Sequence, residues 1–173
     1  FSKKADWWRG FSRSWRKFPY IAFTPFANYF TRNLKVKMNS KLSPIISADE
    51  LRAIYNYDDL VIVDASGGPK ARENYSKKHL DQALFADINK DLANVKPNAA
   101  EGGRHPLPTA DQFSQALGRL GITPGSHVVV YDDMGGANAA ARLWWMLKAF
   151  GHSKVQGLNG GLLAAEKAGL ATS

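Results

Sequence analysis

The sequence has no cysteine in its 173 residues. Disulfides, thiolate metal sites and thiol nucleophiles are therefore absent from this chain, and its redox compartment is left open. A long apolar run is lacking too. The longest near the N-terminus, "YIAFTPFANYF" at 20–30, is broken by Pro25 and is too short to span a bilayer. No succession of basic, apolar and small residues marks a secretory signal. There is no Ser-centred elbow and no metal-spaced His/Glu pair, so hydrolase readings find no footing, and neither an Asp-x-Asp nucleophile nor a glycine-rich Lys loop is present. Acidic residues are scarce in one place only. Residues 1–41 carry ten Lys and Arg against a single acid, Asp6, whereas the remaining 132 residues carry thirteen against fourteen. The net charge of +8 thus belongs to the N-terminal segment, and a basic nucleic-acid-binding face is not expected on the rest.

What is present divides at about residue 42. The first segment, 1–42, is an extension holding eleven of the twenty aromatics before residue 42. At 100° per residue, Trp7, Trp8, Phe11, Trp15 and Phe18 share an arc of about 100°, and Arg9, Arg13, Arg16 and Lys17 share a different one. A short basic amphipathic helix over 7–18 is expected, stopped by Pro19. One reading is an interfacial membrane or targeting segment. The other is that these residues lie outside the native protein, because Met38 can start a chain. Phe1 stands where a start methionine would, so a processed or fragmentary chain is expected.

Residues 43–173 read as one compact α/β domain, and a hydrophobic fraction of 45% suffices for its core. "SADE" at 47–50 and "TADQ" at 109–112 are capping boxes, which start helices carrying Leu51 and Ile54 or Phe113, Leu117 and Leu120. Gly121 is expected to stop the second. "LVIVD" at 60–64, "HVVVY" at 127–131 and "KVQGL" at 154–158 are strands. Helices are expected from about Ala137 to Phe150 and from about Leu162 to Ala168. Strands alternating with helices imply right-handed crossovers and a parallel sheet covered by helices on both faces.

The turn "YDDMGGAN" between a strand and a helix is where such folds hold an anion or a nucleophile. It opens with Asp132 and Asp133 and bends at Gly135 and Gly136. Carboxylates at the mouth of an anion cradle would repel phosphate or sulfate. A magnesium site from Asp64, Asp132 and Asp133 is a second reading. A third is structural, with a carboxylate capping the helix that follows. His79, His127 and His152 have no sequence partner for a metal. His105 differs: in "GGRHPLP" it lies beside Arg104, between flexible Gly102–Gly103 and stiff Pro106 and Pro108, a rigid polar loop suited to ligand contact.

Taken in order, "VIVDAS", "ENYSKKHLDQALFADI", "GGRHPLPTADQFSQALGRLGI", "HVVVYDDMGGANAAARLWWMLKAFGH" and "VQGLNGG" resemble the N-terminal half of tandem rhodanese-type sulfurtransferases, the thiosulfate and 3-mercaptopyruvate sulfurtransferases. The resemblance runs from about Ser43 to Leu170. It departs at "HLDQA" (79–83), where the family usually has His-Ile-Pro-Gly-Ala, and near Ala165, where an aromatic is usual. It implies a rhodanese-like fold and a cytoplasmic enzyme using neither cofactor nor metal. The enzyme would carry sulfur on a cysteine of a second rhodanese domain, which would follow Ser173. In this first domain the corresponding turn is degenerate, with Asp132 about where the cysteine would be, so no catalytic residue is expected here. Arg104 and His105 match the family's "His-x-Leu-Pro" stretch and are expected to wall a cleft for a small anionic sulfur donor. The alternative is a stand-alone inactive module that binds a partner or an anion.

Overall fold

A computed structural model describes residues 42–173. The amphipathic segment at 7–18 lies outside the described residues. Each capping box forms as its residues dictate. The Glu50 amide donates to Ser47 Oγ at 3.2 Å, and Glu50 Oε2 accepts from the Ser47 amide at 2.8 Å, opening α1 (Ala48–Ile54) after β1 (Ile45–Ile46). Thr109 and Gln112 make the same reciprocal pair, at 3.2 and 2.9 Å, opening α3 (Ala110–Arg119). Between these helices lie β2 (Leu60–Asp64), α2 (Ala71–Lys77) and β3 (Leu84–Phe85). After α3 come β4 (His127–Tyr131), α4 (Ala139–Ala149), β5 (Val155–Leu158) and α5 (Gly161–Lys167).

The five strands form one parallel sheet in the order β1-β5-β4-β2-β3. Its central strands are apolar on both faces, as a sheet covered twice requires. The period of two assigns them. Val128 and Val130 point into a cluster with Phe113, Leu117, Leu143 and Leu147, so α3 and α4 cover that face. Val129 and Tyr131 point the other way, with Ile62, Leu51 and Ala165, under α1 and α5. Phe113 meets Phe150 edge-to-face, centroids 4.8 Å apart, and locks α3 onto α4.

Strands β2 and β4 lie where expected. Helix α4 starts two residues later than the sequence pattern indicates, because the backbone at 137–138 still belongs to the turn. Helix α5 begins one residue early and ends one early. Helix α2 and the two-residue strands β1 and β3 were not foreseen. Helix α2 has no side-chain cap at Lys70, and β1 and β3 are too short to show a period. Residues 79–81 are also paired with the far end of the chain. The His79 and Ser173 amides and carbonyls exchange two hydrogen bonds at 2.9 and 3.0 Å, and the Asp81 amide donates to Ala171 at 3.0 Å.

Candidate functional site

Tyr131 is the last residue of β4, and the chain turns there at the carboxyl edge of the sheet, where parallel α/β folds gather ligands. The next residue, Asp132, is 1% exposed. Its Oδ1 accepts from the amides of Met134 at 2.9 Å and Gly136 at 2.6 Å. Its Oδ2 accepts from Asn138 and Ala140, both at 3.0 Å. Four donors meet the roughly four lone-pair sites of one carboxylate. Gly135 and Gly136, at φ 70° and 87°, bend the chain so that successive amides face inward.

This corrects the sequence-based picture of two carboxylates at the mouth of an anion cradle. Only Asp133 is exposed there; Asp132 is inside the cradle and occupies it. It also caps α4, because the N-cap residue Asn138 makes no side-chain cap bond. The capping reading therefore holds, although the carboxylate reaches the helix from six and eight residues upstream. With its lone pairs taken, Asp132 has none left for a magnesium ion. Among the described residues no group of three or more His, Asp or Glu is arranged to hold a metal.

Asp64 ends β2 beside it, 3% exposed, with its Oδ1 accepting from the Ser66 amide at 2.8 Å. The Tyr131 hydroxyl accepts from the Leu80 amide at 3.1 Å. Burial, and after it the Asp64 carboxylate, pushes the Tyr131 phenol far above its ordinary range, so it stays a neutral donor. Asp64, Ser66, Tyr75, Lys78, Tyr131 and Asp132 line a cavity of about 70 Å³, room for a few waters. Lys78, at its rim, is paired with Glu166 of α5.

Gly161, first residue of α5, explains part of the "LNGG" signature. It has φ 57°, and a Cβ there would lie 2.7 Å from the Asp132 carbonyl oxygen. The turn after β5 and the turn after β4 are pressed backbone to backbone.

The loop carrying Arg104 and His105 runs between β3 and α3. Arg104 is exposed and makes no hydrogen bond or ion pair among the described residues. His105 is half-buried, its Nε2 3.1 Å from Asn89 Oδ1. The loop is attached to the site by a residue that sequence reasoning passed over. Arg142, in the first turn of α4, sends Nε and Nη2 to the Leu92 carbonyl at 3.1 and 2.9 Å, and Nη2 to the His105 carbonyl at 2.9 Å. A longer contact of 3.5 Å reaches Pro106. Its partners are carbonyls rather than carboxylates, and burial draws its pKa below the usual arginine value. The signal in the sequence was a single arginine inside the apolar helix "AAARLWWML".

The other histidines are placed outside this edge or serve the backbone. His79 stacks on Tyr75 with centroids 3.9 Å apart and its Nδ1 2.7 Å from the Tyr75 carbonyl oxygen. His127 Nε2 lies 2.8 Å from Gln156 Oε1. His152 is 5% exposed, and its Nε2 has no partner among the described residues. Among the described residues no helix is long and apolar enough to cross a membrane.

The model of the rhodanese-like domain matches residues 47–168. The 3-mercaptopyruvate sulfurtransferase of Mus musculus is 37% identical over 120 residues, which are 66% of this chain and 39% of that protein. Thiosulfate/3-mercaptopyruvate sulfurtransferase 2 of Arabidopsis thaliana is 39% identical over 124 residues, 69% of this chain and 34% of that protein. Among solved structures, 3-mercaptopyruvate sulfurtransferase from Leishmania major superposes with a TM-score of 0.65 at 30% identity, covering 77% of this chain and 37% of that one. The chain therefore spans between about a third and two fifths of the length of the curated relatives it matches.

Proposed function

The chain belongs to the rhodanese-like domain family, and from that premise we propose that it is the cysteine-less first domain of a sulfurtransferase moving a sulfane sulfur from thiosulfate or 3-mercaptopyruvate to a thiophilic acceptor. The observation that carries this reading is the Asp132 carboxylate, held by four amides in the turn where such a fold would present its nucleophile.

Sulfur transfer of this kind has two steps. A thiolate attacks the donor's terminal sulfur and forms an S–S bond to it as that sulfur's bond to the donor breaks: the S–S bond of thiosulfate, releasing sulfite, or the C–S bond of 3-mercaptopyruvate, whose carbon takes up the thiol proton and leaves as pyruvate. The acceptor then takes the outer sulfur and returns the thiolate. The step needs a soft, polarisable nucleophile whose bond to sulfur can be broken again. Asp132 offers hard oxygen, and no residue of this chain is a cysteine. The persulfide therefore belongs to a second rhodanese-like domain, placed after Ser173 on the same polypeptide. This domain contributes one wall of the cleft, with Arg104 and His105 meeting a small anionic donor. The short span of the chain relative to its sulfurtransferase relatives supports that division. The reading is of a cytoplasmic enzyme without a nucleic-acid partner, the near-neutral charge of residues 42–173 being what supports the latter.

The test is sulfur transfer by the purified 173-residue chain, free of other proteins, with thiosulfate and cyanide. No thiocyanate above the uncatalysed rate is expected. Catalytic turnover by this chain would overturn the reading.

A further inference from the structure

Residues 94–106 leave and return to nearly the same point. The Asn94 amide donates to the Pro106 carbonyl at 3.0 Å and closes the neck of a surface loop. Within the loop the Gly103 amide bonds the Ala99 carbonyl at 2.9 Å, and at its far side stands exposed Arg104. No strand or helix supports this stretch. His105 Nε2 contacts Asn89, and the Arg142 guanidinium ties the loop to α4, bonding Leu92 on one side of the neck and His105 on the other. Nε and Nη2 together grip the Leu92 carbonyl and so orient the rigid guanidinium plane, from which Nη2 also reaches the His105 carbonyl and fixes one side of the neck against the other and against the first turn of α4. That turn is the one whose amides bind Asp132.

We infer that Arg142 is the positioning residue of the His105 loop: its planar fork sets the neck and so aims Arg104 and His105 at the carboxyl edge beside the Asp132 turn. This rests on the reading above only in what the loop meets, a small anionic sulfur donor. The geometry of the neck stands without it. Two of its contacts end on Leu92, which is buried in the core, and the others on His105 and Pro106, so the guanidinium ties the loop's returning strand of chain to its core-anchored start. Lysine keeps the positive charge yet cannot bridge both sides of the neck with fixed spacing.

The experiment compares the chain with Arg142→Lys, each observed residue by residue by amide exchange and NMR. Exchange at the Asn94 amide, whose acceptor lies in the neck, is expected to accelerate about tenfold or more in Arg142→Lys. The amide of Val128, bonded to the Lys154 carbonyl at the opposite edge, keeps its rate. The ring resonances of His105 shift while those of His127 stay in place. Equal exchange at Asn94 in both proteins overturns the inference. So does an Arg142→Lys variant that fails to fold, because Arg142 is then a residue of the fold rather than of the loop. Thiosulfate is the probe in a second arm. It is expected to perturb the Arg104 and His105 resonances of the unaltered chain, with affinity about fivefold or more weaker in Arg142→Lys. If the neck loosens as expected but thiosulfate leaves the unaltered chain unperturbed, the donor-binding role fails and the positioning role remains.

Discussion

Gln82 adopts φ 65°, the only non-glycine among the described residues in the left-handed region. It falls in "HLDQA", at the place of the glycine in the His-Ile-Pro-Gly-Ala that the resemblance leads one to expect. The left-handed conformation that a glycine adopts freely is thus borne here by a glutamine, which takes the strain. The left-handed conformation costs an ordinary residue about 1–2 kcal/mol, and the freer unfolded chain of a glycine returns part of that. Gln82→Gly is thus expected to stabilise the domain by about 0.5–1 kcal/mol, read from the shift of a urea unfolding midpoint at constant slope. The same scale shows where reading the sequence stopped. The type and position of Asp132 were legible, and so was its kinship with a capping residue. Its burial was not, because four amides at separations of two to eight residues converge on it only after the turn closes. Arg142 was illegible for a similar reason: its partners lie 37 and 50 residues away.

Among the elements, those with local causes were readable. Both capping boxes formed as written. Helices α3 and α4 stopped at Gly121 and Gly151, whose amides close back onto Gly118 and Lys148. Strands β2 and β4 were apolar for long enough to be recognised. Elements fixed only by their neighbours were not: β1 exists because β5 lies beside it, and β3 because β2 does. The contact between the turns after β4 and β5 belongs to this scale. Gly161→Ala would drive a methyl to 2.7 Å from the Asp132 carbonyl oxygen, at a φ that already disfavours it. A loss of about 2 kcal/mol or more is expected. Gly169→Ala has φ 80° but no atom within 4 Å of the added carbon. Conformational strain alone, about 1 kcal/mol, is expected there. Equal losses for the two variants, measured by chemical denaturation, would show that crowding against Asp132 contributes nothing.

At the scale of the whole molecule, stability should depend on one histidine. His152 is buried, and burial lowers its pKa from 6.5, reinforced by Lys148 and Lys154 and opposed by the backbone at Ser126 and Lys154. Above pH about 6.5 the ring is neutral in both folded and unfolded chains and contributes no pH dependence. Below it the unfolded chain takes up a proton that the folded one resists, so stability falls as pH falls toward the folded-state pKa. Thermal unfolding followed between pH about 7 and about 5 should show that decline, and His152→Gln should flatten it. Identical slopes would mean the decline has another source. The parallel sheet with both faces covered was readable at this scale from the alternation of strands and helices. The pairing of residues 79–81 with 171–173 was not, since nothing local marks it.

The press of Gly161 against the Asp132 carbonyl carries a consequence for anyone wishing to rebuild this domain. The two turns are one machined part in two pieces, so a loop transplanted from a relative into positions 132–138 must bring its matching β5–α5 corner with it. A graft of the first piece alone would meet a seat cut for another shape.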